Sequence, residues 1–140
     1  MSLDANRSAI VSAVEAARLA WTGSYTLNIE YDNRDTVDLA AQLDPYLMID
    51  IVYMDGRQMD LGKAPLIGDY GQIMLAAGVK KGAGTDGVMK LLQFIRPYLE
   101  LKDTMGSVRT SAAKLTKYVE ANGFYYQPML IPFWEIHVSG

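Results

Sequence analysis

Residues 46 to 62 read YLMIDIVYMDGRQMDLG. Leu47, Ile49, Ile51 and Tyr53 recur at every second position, the period of a strand with one buried face. Asp55-Gly56 follows, a pair that tolerates the positive φ of a two-residue hairpin turn. The pattern predicts a β-hairpin, with Arg57 to Leu61 returning as the partner strand.

Downstream, Tyr70 to Val79 predicts a further strand whose small residues, Gly71, Ala76, Ala77 and Gly78, permit close packing. A helix is predicted from TDGVMKLLQFIRPYLEL, with Val88, Leu91, Leu92, Ile95 and Leu99 as its apolar stripe. Thr85 or Asp86 is placed to cap it, and Pro97 should kink or frustrate its last turn. SVRTSAAKLTKYVEANG and FYYQPMLIPFWEIHV then predict two extended segments joined near Asn122-Gly123, a second hairpin signal. Pro128 and Pro132 have the same parity, so both withdraw an N–H from one side of the last strand. That side must be an edge or be interrupted by a bulge, and an aromatic edge needs cover.

Upstream, Tyr25, Leu27, Ile29 and Tyr31 alternate as a half-buried strand. Residues 32 to 45 lose the pattern and predict a long acidic loop. Ile10, Val14, Ala17 and Trp21 mark one face of a helix over residues 4 to 21, with Asp4 as N-cap and Gly23 as stop. The expectation is a single α+β domain over residues 1 to 140, a mostly antiparallel sheet of five to six strands packed against two helices.

Composition narrows the chemistry. The 140 residues are half apolar and about a fifth charged, the mixture of a soluble globular chain. With no cysteine and one histidine, His137, thiolate and multi-histidine metal sites are excluded. No apolar run reaches membrane-span length and the N-terminus lacks a signal-peptide layout, so a cytoplasmic site of action is expected. The net charge of −3 is unevenly spread. Residues 30 to 60 carry eight acids against Arg34 and Arg57, a net of −6, whereas residues 61 to 140 carry a net of +3. This disfavours nucleic-acid binding by the whole domain. Solvated charge is the simpler explanation, but the split also suits a head-to-tail contact between copies.

Gly82-Ala83-Gly84-Thr85-Asp86-Gly87 spells G-x-G-x-x-G between a predicted strand and a predicted helix, the fingerprint of a dinucleotide turn. Such a site needs a buried parallel strand after the helix, yet SVRTSAAKLT is polar and suits a sheet edge. Lys80 and Lys81 precede the turn, but no G-K-[ST] follows, so it is not a P-loop. Asp32, Asp35 and Asp38 resemble a calcium loop only until counted, because positions six and twelve are Val37 and Leu43. His137 shares strand parity with Glu135 and suits a partly exposed strand residue. The aromatics Phe124, Tyr125, Tyr126, Phe133 and Trp134 suit core and interface packing better than base stacking. No catalytic, cofactor-binding or metal-binding residue stands out, and no enzyme activity is expected.

Four segments in order, IEYDNRDT, PYLMIDIVYMDGRQMDLG, GDYGQIMLAAGVKKGAGTDGVMKLLQFI and GFYYQPMLIPFWEI, resemble the tail terminator family of long-tailed bacteriophages. The resemblance implies a structural virion protein at the tail–neck junction. Its copies would form a ring, a hexamer, on the last ring of tail-tube protein, end polymerisation and meet the head connector. It implies no cofactor, no membrane and no catalytic residue. On this likeness the 32 to 45 and 78 to 86 loops are candidate contacts between subunits or with the tube, through Asp32, Arg34, Asp35, Asp38, Lys80, Lys81 and Asp86. Another head–tail connector or tail-completion protein is the near alternative. A nucleotide-binding enzyme built on residues 82 to 87 is the distant one.

Overall fold

The computed structural model describes residues 3–31, 42–53, 57–58, 66–82, 84–102, 105 and 108–138. Its elements are helix α1 (Leu3–Ala20), strands β1 (Ile29–Tyr31), β2 (Tyr46–Tyr53), β3 (Arg57–Gln58) and β4 (Leu66–Lys80), helix α2 (Asp86–Leu99), and strands β5 (Arg109–Thr110), β6 (Lys114–Leu115), β7 (Val119–Ala121) and β8 (Phe124–Val138). All strands join one sheet in the order β1-β2-β4-β8, with β5, β6 and β7 in line along the outer side of β8. The α+β expectation holds, and the sheet is antiparallel except where β1 runs parallel to β2.

The frame is the long pairing of β4 with β8, in register from Leu66↔Val138 to Lys80↔Phe124. Over residues 73–79 of β4 and 129–133 of β8 the odd-numbered positions face the helices. Ile73, Leu75, Ala77, Val79, Met129, Ile131 and Phe133 pack with Leu47 and Ile49 against Ile10, Val14 and Ala17 of α1 and Val88, Leu91, Leu92, Ile95 and Leu99 of α2. The stripe predicted for α2 is therefore its buried face. Trp21 ties the helices together: its indole meets the Phe94 ring edge-on at 4.9 Å and donates to the Tyr25 carbonyl at 3.0 Å.

Three local expectations need correction. Asp4 lies inside the first turn of α1 rather than before it. The Tyr25–Tyr31 strand shrinks to Ile29–Tyr31, whose parallel register with β2 runs from Ile29↔Leu47 to Tyr31↔Ile49. The hairpin expected of residues 46 to 61 does not pair with itself. Gly71 to Gly78 of β4 take up β2, and Arg57 and Gln58 pair with Gly68 and Ile67 of the same strand. Since β8 holds the other edge of β4, β3 continues along the edge that β2 occupies, its register slipped by one residue. A fifteen-residue partner with apolar residues on both faces outcompetes a local turn signal. The Asp55-Gly56 pair lies outside the described residues.

Asn122-Gly123 does form the predicted turn: φ is +54° and +78° at the two residues, the signature of a type I′ hairpin, here joining β7 to β8.

Candidate assembly surfaces

The prolines of β8 shape its outer side. β5 pairs Arg109 with Trp134, β6 pairs Lys114 with Leu130, and β7 pairs Val119 with Tyr126. Each step from one piece to the next gains one residue on the outer strand, so 111–113 and 116–118 are one-residue bulges opposite Pro132 and Pro128. Each proline carbonyl still accepts a backbone N–H, from Ser111 at 3.0 Å and from Thr116 at 3.4 Å. The absent proline donors are replaced: at the first bulge the Leu101 N–H donates to the Ser111 carbonyl at 3.2 Å, where a Pro132 N–H would have served. The Gln127 side-chain amide donates to the Thr116 carbonyl at 2.7 Å, where a Pro128 N–H would have served. At the first bulge, Glu100 accepts the Ala113 N–H at 2.8 Å and pairs with Arg96 at 2.9 Å. Burial opposes charge on Glu100, but these partners outweigh it and hold its carboxyl below the ordinary value. Thr110 ties the same corner to α2, donating to the Leu99 carbonyl and accepting the Lys102 N–H at 2.8 Å.

The result is a bulged outer margin rather than a smooth one. Leu115, Tyr118 and Val119 are 48%, 47% and 50% exposed along it. Arg109, Lys114 and Lys117 are exposed between them.

The second surface is the even-numbered face of the sheet. Reading across the strands, Met48–Ala76–Pro128, Asp50–Met74–Leu130 and Val52–Gln72–Pro132 form successive rows, and Tyr70–Trp134 a fourth. None of these residues belongs to the core that the helices cover. Val52 and Met74 are 39% and 41% exposed. Among the described residues no helix covers this face, although most of it is apolar. At one end Tyr46, Phe124 and Tyr126 close over Gly78, their rings in edge-on and stacked contact. A Cβ at residue 78 would stand 2.6 Å from the Tyr126 ring. Burial, and then the hydrogen bond to Tyr126, push the Tyr46 phenol far above its ordinary value.

The third surface contains the glycine turn. Gly82 and Gly84 adopt φ of +90° and +84°, and a Cβ on either would meet nothing. Glycine is needed there for backbone conformation, not for close approach of another group. Gly87 differs, because its Cβ would stand 2.8 Å from Pro45 Cγ. Between these loops lies an open cleft of about 430 Å³, lined by Trp21, Tyr25, Leu43, Pro45, Val79 and Lys90 among others. The cleft therefore brings together the described parts of the two loops singled out by sequence. Burial, and secondarily Asp44, raise the Tyr25 phenol above its usual value.

The individual residues named from sequence divide. Asp32, Arg34, Asp35 and Asp38 lie outside the described residues. Lys81 is committed within the chain: its ammonium pairs with Glu120 at 3.1 Å and its N–H donates to the Gly123 carbonyl at 2.9 Å. Lys80 lies opposite Phe124 in register, half-buried, and Asp86 is exposed in the first turn of α2. The strand after α2 is β5, at the sheet margin and separated from β4 by β8. The buried neighbouring parallel strand of a dinucleotide fold is missing from this position. Among the described residues no group of three His, Cys, Asp or Glu side chains could hold a metal ion, and no helix is long and apolar enough to cross a membrane.

Sequence reasoning missed the even-numbered face. Its signal was present, since IMLAA in β4 and PMLIPFW in β8 are apolar at consecutive positions, the mark of strands covered on both faces.

No family model and no curated protein matches the chain. It is similar in fold to chains of solved structures. One superposes with a TM-score of 0.70 over 100% of this chain and 99% of that chain, at 13% sequence identity. At that identity the likeness is one of fold alone.

Proposed function

We propose that this chain is a structural virion protein that caps a phage tail tube as a homo-oligomeric ring, ending tube polymerisation and joining tail to head connector. The observation that carries the proposal is the apolar sheet face of Met48, Val52, Met74, Leu130 and Trp134, which no helix covers among the described residues. A contiguous apolar surface of this kind marks a place where another protein sits. The four ordered segments that resemble tail terminators supply the kind of assembly. The Leu115–Val119 margin adds a second place for protein contact.

Tail-tube protein polymerised with and without the chain provides the test. Tubes of limited length carrying a ring at one end are expected, and tubes that grow unchanged would contradict the proposal. Limited tube growth should be lost in Met74→Asp, which puts charge on the uncovered face without touching the helix-facing core.

Nucleotide binding finds less support, since the turn at residues 82 to 87 leads into a helix followed by a marginal strand. Saturable nucleotide binding that disappears in Gly84→Val would favour it instead.

A further inference from the structure

The uncovered sheet face carries charge as well as apolar surface. Residues directly opposite in paired strands share a face. The registers therefore line up Asp50 of β2, Met74 of β4, Leu130 of β8 and Lys114 of β6 in one row. An acid stands at one end, a base at the other and two apolar residues between them. Asp50 is half-buried and Lys114 exposed, and neither makes an ion pair among the described residues. Two other charged positions share this face. Glu30, opposite Met48, already has a partner within the chain, and Arg109 stands opposite Trp134 at the far end.

The row is self-complementary about the seam between β4 and β8. Asp50 and Lys114 lie on opposite sides of that seam, each about 7 Å away at one and a half strand spacings. A second copy turned over about a two-fold axis along the seam lays every row on the same row of its partner. Asp50 then stands over the partner's Lys114, Lys114 over the partner's Asp50, and Met74 over the partner's Leu130. Stacked sheets lie about 10 Å apart with strand directions within about 30° of each other. The flexible four-carbon stem of lysine spans the resulting offset. A two-fold axis across the strands would instead bring acid to acid and base to base, which like charges oppose. A partner of single charge sign would match one end of the row only.

We infer that a second copy of this chain docks on this face, sheet against sheet, when no other partner is present. The contact is isologous, the same surface serving on both copies. The apolar middle of the face supplies the burial, and the two Asp50–Lys114 contacts fix which way round the copies lie. The inference stands independently of tube capping. Taken together with it, pairing keeps the face covered until a tube end competes for it.

Charge reversal tests the pairing. Sedimentation equilibrium of the purified chain, without tube protein, should show a monomer–dimer equilibrium. Lys114→Glu and Asp50→Lys should each raise its dissociation constant about tenfold or more. Both changes in one chain should restore it to within about threefold, since every contact again joins opposite charges. Circular dichroism establishes that each variant is folded. Because the chain has no cysteine, crosslinking gives a second reading. Asp50→Cys mixed with Lys114→Cys should join through a short bismaleimide, and either protein alone should join far less. Should Asp50→Lys misfold, Lys114→Glu and the crosslink decide the matter. A wild type that stays monomeric, a dimer indifferent to reversal, a folded double variant that fails to recover, or a mixture that crosslinks no better than its parts would overturn the inference. Tube capping is read separately, from tube growth, and survives each of those outcomes.

Discussion

The hydroxyls of Tyr46 and Tyr126 lie 3.0 Å apart across Gly78, which has no side chain to separate them. This contact closes one end of the sheet face that no helix covers, and it depends on glycine at the middle strand. Gly78→Ala would place a Cβ 2.6 Å from the Tyr126 ring. The ring would have to move off its partner, with a loss of about 1–3 kcal/mol. Chemical denaturation should show this as a lower midpoint with an unchanged slope.

The same contact predicts the alkaline limit of stability. Burial and the Tyr126 hydrogen bond raise the Tyr46 phenol, and burial with Glu15 nearby raises Tyr31 to about 12. A raised phenol keeps its proton in the native state after the unfolded chain has lost its own, near pH 10. Stability should therefore be intact below pH 10 and fall as pH rises beyond it. Tyr46→Phe should cost about 1 kcal/mol at neutral pH and make the alkaline fall shallower, Tyr31 and Tyr25, whose phenols are also raised, supplying the remainder. Thermal melts from pH 8 to 11 would measure both.

At the acid end Glu100 has the opposite sign. Its carboxyl is held below the ordinary value by the Ala113 N–H and Arg96 despite its burial. The stability it contributes is present above about pH 4.3 and is lost as pH falls through the lowered native value. Glu100→Gln should flatten the acid limb between pH 5 and 3, measured by the same melts, while leaving α2 helical.

Gln127 replaces a proline's missing donor. Gln127→Leu would keep the side-chain bulk but strand the Thr116 carbonyl, at a cost of about 1–3 kcal/mol. Hydrogen exchange should show the effect at residues 115 to 119 before it shows in the β4–β8 ladder. Equal loosening of both regions would mean that Gln127 acts through general packing instead.

These predictions also show what could be read from the chain beforehand. The α2 stripe, the Asn122-Gly123 turn and the bulged side of β8 were legible, because each depends on residues near in sequence. The parity of Pro128 and Pro132 alone marked the side where a ladder must break. The partner of Arg57 and Gln58 was not legible, since a hairpin turn signal says nothing about a stronger strand further along. The uncovered face was missed because the strands were read one face at a time. Of the site residues, the cleft between Pro45 and Gly87 joins loops that sequence separated by forty residues, a proximity that only the fold supplies.

Electron microscopy of the purified chain mixed with tail-tube protein tests the assembly proposal most directly. A closed ring of identical copies, six by likeness to tail terminators, seated at the end of tubes that have stopped growing is the predicted result. Isolated monomers beside tubes that lengthen without limit would contradict it.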